Sequence, residues 1–243
     1  MLRILALALF LCCSLISLGQ ERLFPNKTWV NRKRLRDESY TMKWWVTVDS
    51  VRTEVASVKT QVKVLKRQGK VSVVQQVKMA DTQSPWVDST LVNLYDYSPV
   101  YHSSENPQRQ MRLRFTRNNV NIFYQPAGQH ATERDESVAG GFFDSNFYPY
   151  FFQWIDIYEG YSAQINVFDY SPEKKGLFKA WLKNAEEVDY KLDQGGQTRA
   201  WKLTVQDEIS SYGTTYYFIA VKDHRLLEVV MEMGPTRMNI VRD

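Results

Sequence analysis

Apolar and polar residues alternate with period two along most of this chain, and no other feature constrains its fold as tightly. Tyr40, Met42, Trp44, Val46 and Val48 are interleaved with Thr41, Lys43, Trp45, Thr47 and Asp49. Successive side chains of a strand point to opposite faces, so the pattern specifies a strand with one dry and one wet face. Val58, Thr60, Val62 and Val64 repeat it against Lys59, Gln61 and Lys63, and Lys66-Arg67-Gln68-Gly69-Lys70 reads as a hairpin connection into a strand over 71–79. Met111, Leu113 and Phe115 alternate with Arg112, Arg114 and Thr116, and Asn118-Asn119 marks a turn before Val120, Ile122 and Tyr124. Further strands are expected over 178–182, 201–205, 215–221, 226–233 and 237–241. Connections this short imply antiparallel pairing, because a parallel pair needs a crossover of a dozen or more residues.

An antiparallel sheet with one wet face needs a cover for its dry face. One segment offers it. The spacing predicts a helix over 147–155, with Phe147, Tyr148, Phe151, Phe152, Trp154 and Ile155 on one broad face and Pro149, Gln153 and Asp156 opposite. Pro149 is tolerated only in the first turn, which makes Asn146 the expected N-cap. Six large side chains at ~1.5–3 kcal/mol each give a gross burial of roughly 10 kcal/mol or more, an upper bound. Two readings follow for the run Gly140-Gly141-Phe142-Phe143-Asp144-Ser145-Asn146-Phe147. In one, its aromatics and those after it plug the sheet. In the other, Phe142, Phe143, Phe147, Phe151, Phe152 and Trp154 line a cavity for an acyl chain or another apolar ligand.

The N-terminus reads as an export signal. Arg3 precedes an apolar run over 4–18, and Ser17-Leu18-Gly19 offers small residues for cleavage before Gln20. The run is shorter than the ~20 residues of a spanning helix. Both cysteines, Cys12 and Cys13, lie within it, so the mature chain has no thiol for a disulfide, a zinc site or a nucleophile. A lipidated cysteine is the rival reading, but Leu11 and Cys12 stand where a lipoprotein signal carries a small residue. The division is a signal peptide over 1–19, a polar linker over 20–39 and a single antiparallel β domain over 40–243. That length supports one substantial core, and 44% hydrophobic residues supply it. A net charge of +4 is weak, and its one dense cluster, Arg32-Lys33-Arg34 with Arg36, is either a solvated tail or a contact for lipid phosphates.

The sequence carries no Gly-x-Ser-x-Gly elbow, phosphate-binding Gly-rich loop or His-Glu-x-x-His. Two long loops are expected over 96–108 and 126–141. They hold His102 with Glu105, and His130 with Glu133, Asp135 and Glu136. A metal or a general acid–base pair uses such groups, but loop spacing fixes no geometry. No catalytic residue, metal ligand or cofactor is assigned, and the chain reads as a non-enzyme.

The order of these elements resembles a known group. An export signal, N-terminal strands, Tyr95-Asp96-Tyr97-Ser98-Pro99-Val100-Tyr101, a strand pair ending at Tyr124, a Phe-Asp-Ser-Asn-Phe segment opening a short helix and a C-terminal meander follow one another. Over residues 40–241 this is similar to bacterial exported proteins of unknown function that share the half-barrel of the lipoprotein localisation factors. The resemblance implies a strongly curved antiparallel sheet wrapped around a short aromatic helix. It also implies a lipid or lipoprotein partner in the periplasm or at the outer membrane. Those carriers use several helices as a lid, and only one is evident here. The expected function is therefore an exported, non-enzymatic envelope protein binding a lipid or acyl chain. The alternatives are a structural or interaction module with a filled core and an envelope-protein partner, and a metal-dependent hydrolase using the two histidine loops. Peripheral membrane contact fits these readings; a nucleic-acid partner does not.

Overall fold

The computed structural model describes residues 21–26, 28, 31–80, 85–193, 195–211 and 213–243. The expected signal peptide over 1–19 lies outside them. The described chain is mainly β, built as one large mixed sheet with a single helical turn and one short 3-10 segment.

In chain order the strands are β1 (Glu21–Leu23), β2 (Glu38–Val48), β3 (Val51–Leu65), β4 (Lys70–Met79), β5 (Trp86–Asn93), β6 (Pro99–Asn106), β7 (Arg109–Phe115) and β8 (Asn119–Pro126). They continue as β9 (Thr132–Ser137), β10 (Phe143–Asp144), β11 (Ala163–Tyr170), β12 (Lys175–Lys191), β13 (Gln197–Asp207), β14 (Thr214–Ala220), β15 (Leu226–Met233) and β16 (Thr236–Arg242). Two antiparallel meanders, β2 to β9 and β11 to β16, are joined edge to edge where β16 pairs with β2. The parallel members are β1 and β10, each two or three residues long and both laid along β11. Among the described residues no strand pairing joins β9 to β1, so the sheet is not closed.

The period-two reading holds. In β3, Ala56, Val58, Thr60 and Val62 are buried, and in β7 Met111, Leu113 and Phe115 are buried while their neighbours face outward. The hairpin at Lys66–Gln68 closes on Gly69 with φ of 62°, a left-handed conformation that glycine adopts without strain.

The two expected loops are different. Most of 96–108 is β6, paired to β5 and β7, and the centre of 126–141 is β9, paired to β8. Strand β6 buries His102 and Ser104 on its inner face, and β9 is an edge strand rich in charge, so neither displays an apolar alternation. Strands β5 and β11 were likewise not read from sequence, and β1 arises inside the expected linker.

The aromatic helix is also shorter than its spacing predicts. One turn, α1 (Tyr148–Phe151), is followed by tighter bonds in which Gln153 N donates to Tyr150 O at 3.1 Å and Trp154 N to Phe151 O at 2.8 Å. The N-cap is Phe147, without a side-chain cap, and the Asn146 amide donates instead to Thr90 Oγ1 at 3.0 Å. Burial explains the difference. Gln153, expected on the wet face, is 3% exposed and accepts from Leu226 N at 3.1 Å. A segment enclosed on every side takes its backbone path from its neighbours rather than from helical periodicity.

Those neighbours come from far apart in the strand order. One cluster joins Phe147, Phe151, Phe152 and Trp154 to Met42, Val58, Val73 and Val92 of β2 to β5, and to Ile165, Leu182, Leu203 and Tyr217 of β11 to β14. A second joins Met111, Leu113 and Phe115 of β7 to Phe168 and Tyr170 of β11. Arg134 of β9 stacks over Tyr170 at 4.8 Å and bonds its hydroxyl, and Lys175 of β12 pairs with Glu136 of β9. Side chains thus connect the two ends of an unclosed sheet.

Candidate functional site

The six candidate ligand residues all lie in the interior. Phe143 stacks on Phe151 at 4.8 Å, Phe151 meets Phe152 at 5.0 Å, and Phe147 lies 5.4 Å from Tyr97 and 5.9 Å from Trp154. Tilted and offset rings at these distances are favourable contacts in their own right. Phe152 is fully buried and continues the packing to Tyr217 at 5.5 Å.

Phe142 differs from the other five because it also lines a cavity of about 820 Å³. The cavity lies where the segment after β1, the β5–β6 and β7–β8 turns and the approach to β10 meet. Phe115 and Phe142, 6.1 Å apart and backed by Phe168, supply buried rings, and Phe24 adds a ring that is 44% exposed. Lys70 and Arg117 contribute positive charge to the same lining, and Asp96, which accepts from Ser98 N and Oγ, contributes a negative one. Lys70 is held by the neutral Asn93 side chain, and no ion pair of Arg117 occurs among the described residues. Gly141 permits the wall to form: a Cβ there would lie 3.1 Å from Phe24 Cβ and 3.3 Å from Pro25 Cδ.

A second, polar centre surrounds β10. Asp144 is fully buried and accepts from Thr90 Oγ1 of β5 at 2.8 Å and from His102 Nδ1 of β6 at 2.9 Å. Since a carboxylate only accepts, Nδ1 carries the proton, and Nε2 is the free nitrogen of the neutral ring. Burial alone pulls the His102 pKa down, but the Asp144 carboxylate, aided by Asp88 and Asp169, more than offsets it and the net shift is upward. His102, with the fully buried Asp144 behind it, lines a cleft of about 440 Å³ that also holds Asp88, Asp169, Asp207, Arg109, Trp86 and Tyr148. Burial pushes the Tyr148 phenol well up, so it stays protonated and donates to Asp207 Oδ2 at 2.7 Å.

Sequence reading singled out His102 but paired it with Glu105, a neighbour three residues away in a supposed loop. On a strand the partner comes from β10 instead. Asp144 shows in the sequence only as a polar interruption between Phe143 and Phe147; Asp88 of β5 and Asp169 of β11 give no local signal because they converge from distant strands, and Phe24, beside the other cavity, lies in the expected linker. His130 is exposed. No group of three or more His, Cys, Asp or Glu side chains able to hold a metal occurs among the described residues.

No curated protein matches the chain. Among solved structures, the crystal structure of a β-barrel-like protein of domain of unknown function DUF1849 from Brucella abortus is similar, with a TM-score of 0.47 and 9% identity. The match covers 92% of this chain and 97% of that one. A family model described as protein of unknown function DUF3108 matches residues 39–241, nearly the whole sheet, and the chain belongs to that family.

Proposed function

We propose that this is an exported, non-enzymatic envelope protein whose sheet is curved into a half-barrel, of the lipoprotein localisation factor kind, and which binds an acyl chain. Breaks in register between β2 and β3, β5 and β6, β12 and β13, and β14 and β15 support the curvature, since an irregularity of this kind bends a strand and raises its twist. So does the aromatic segment shared by distant strands. The observation that carries the ligand reading is the 820 Å³ cavity, with Phe24, Phe115 and Phe142 beside Lys70 and Arg117. Such a lining, whose two cations outweigh the single carboxylate of Asp96, suits an apolar chain with an acidic head.

The test is titration of delipidated, refolded protein with the fluorescent fatty acid dansylaminoundecanoic acid. Saturable binding is expected, and Phe24→Asp, at a half-exposed position, weakens it by about tenfold or more if one ring's burial of ~1.5–3 kcal/mol is lost. Absence of saturable binding, or equal binding by Phe24→Asp, refutes the reading. Fractionation of the native host tests location in the periplasm or at the outer membrane.

A second reading has its own support. Phe143, Phe147, Phe151, Phe152 and Trp154 pack on one another and on the strands, as in a filled core serving a structural or interaction module. A stable envelope-protein partner that co-purifies with no extractable lipid favours this alternative.

A further inference from the structure

We propose that the cleft beside His102 and Asp144 is a binding site for a neutral, hydroxyl-rich sugar ring, separate from the cavity around Phe142. The cleft holds about 440 Å³, within the range of roughly 300–1,000 Å³ typical of small-ligand sites. Its polar groups are of both kinds. Asp88 makes no described hydrogen bond or ion pair, and Asp169 accepts only from Ser145 Oγ, at 2.7 Å. Arg109 reaches Ser104 Oγ at 3.4 Å and forms no described ion pair. His102 lines the cleft with Nδ1 committed to Asp144, and no described hydrogen bond uses Nε2.

These groups select among ligand classes. A bound anion would face three carboxylates, Asp88, Asp169 and Asp207, and a bound cation would have the Arg109 guanidinium beside it. A hydroxyl escapes the conflict because it donates and accepts at once. Several hydroxyls on one rigid ring can donate to the carboxylates while accepting from the guanidinium, and a hydroxyl meets Nε2 as donor when the imidazole is neutral and as acceptor when it is protonated. Trp86, partly exposed and anchored by an indole N–H bond to Ser104 Oγ at 3.3 Å, adds an apolar surface suited to the C–H face of such a ring. The pocket is pre-formed, since Asp144 and Thr90 are fully buried and hold β5, β6 and β10 together beneath it.

The test uses the full-length mature protein and saturation-transfer NMR with maltotriose and chitotriose, alongside sedimentation with phosphatidylcholine vesicles with or without a galactosyl lipid. Binding of a free trisaccharide points to a soluble glycan, and binding only to the glycolipid vesicles points to a lipid-borne sugar. In either case Asp88→Asn, whose side chain makes no described hydrogen bond or ion pair and acts on His102 through its charge, should weaken binding at least tenfold with the protein still folded. Trp86→Ala should weaken binding as much while lowering Tm, because the ring also packs against the core. Phe24→Asp should leave sugar binding intact while it reduces fatty-acid binding. Failure of every sugar probe to bind saturably, or binding untouched by Asp88→Asn, overturns the proposal, as does preferential uptake of spermidine or inorganic phosphate.

Discussion

Replacing Asp144 by Asn removes the charge that His102 bonds directly, the largest of those that favour its protonated form, and its consequence for stability can be worked out. Asp144 is fully buried and His102 only 5% exposed, so neither is well screened by water. The folded pKa of His102 is raised above its unfolded value of about 6.5, so the native state binds a proton that the unfolded state releases between those two pH values. The pair therefore contributes its full stability below pH ~6.5 and loses it as pH rises through the folded pKa, at up to about 1.4 kcal/mol per pH unit. In Asp144→Asn the buried imidazole must either stay charged without a partner or give up its proton. Breaking a buried pair in this way costs about 3–5 kcal/mol. With a urea dependence near ~3 kcal/mol per molar, the unfolding midpoint at pH 6 drops by roughly 1–2 M. Urea titrations from pH 5.5 to 9 should show the two proteins furthest apart at the acid end and converging as pH rises. His224 does not mimic this, because burial and Arg34 pull its pKa down and place its effect below pH ~6.5 with the opposite sign. A constant gap between the proteins, or a parent whose stability is flat above pH 6.5, would refute the reasoning.

Three further outcomes are expected. Phe152→Ala, at a fully buried ring touching Phe151, Tyr148 and Tyr217, should cost about 3–5 kcal/mol and lower Tm by roughly 6–20 °C in calorimetry. Phe151→Asp should fail more severely, because it buries a carboxylate among the same rings. Gly69→Ala imposes φ of 62° on a residue with a Cβ and brings that atom within 3.3 Å of Tyr95; a loss of about 1 kcal/mol or more should appear as a lower urea midpoint.

Much of the sheet could be read directly. Where one face is buried by aliphatic residues and the other carries Lys, Arg, Gln and Thr, as in 58–64 or 111–115, period two is a local consequence of pleating and needs no knowledge of partners. Strands β5, β6, β9 and β11 escaped because their inner faces are partly polar or their outer faces partly apolar. Thr90, His102 and Ser104 are buried polar groups, and a buried polar group betrays itself only through a partner elsewhere in the chain.

From the order of residues alone came an antiparallel β chain and the position of its aromatic segment. Tertiary structure decided the rest: that the segment is one helical turn and not a helix, that five of its candidate ligand rings fill space, and that His102 belongs with Asp144. The reason is range. Pleat and turn chemistry act over a few residues, whereas β10 pairs with β11 across 24 positions and Asp144 reaches His102 of β6 and Thr90 of β5 across 42 and 54. No local pattern encodes which distant strand a side chain will face.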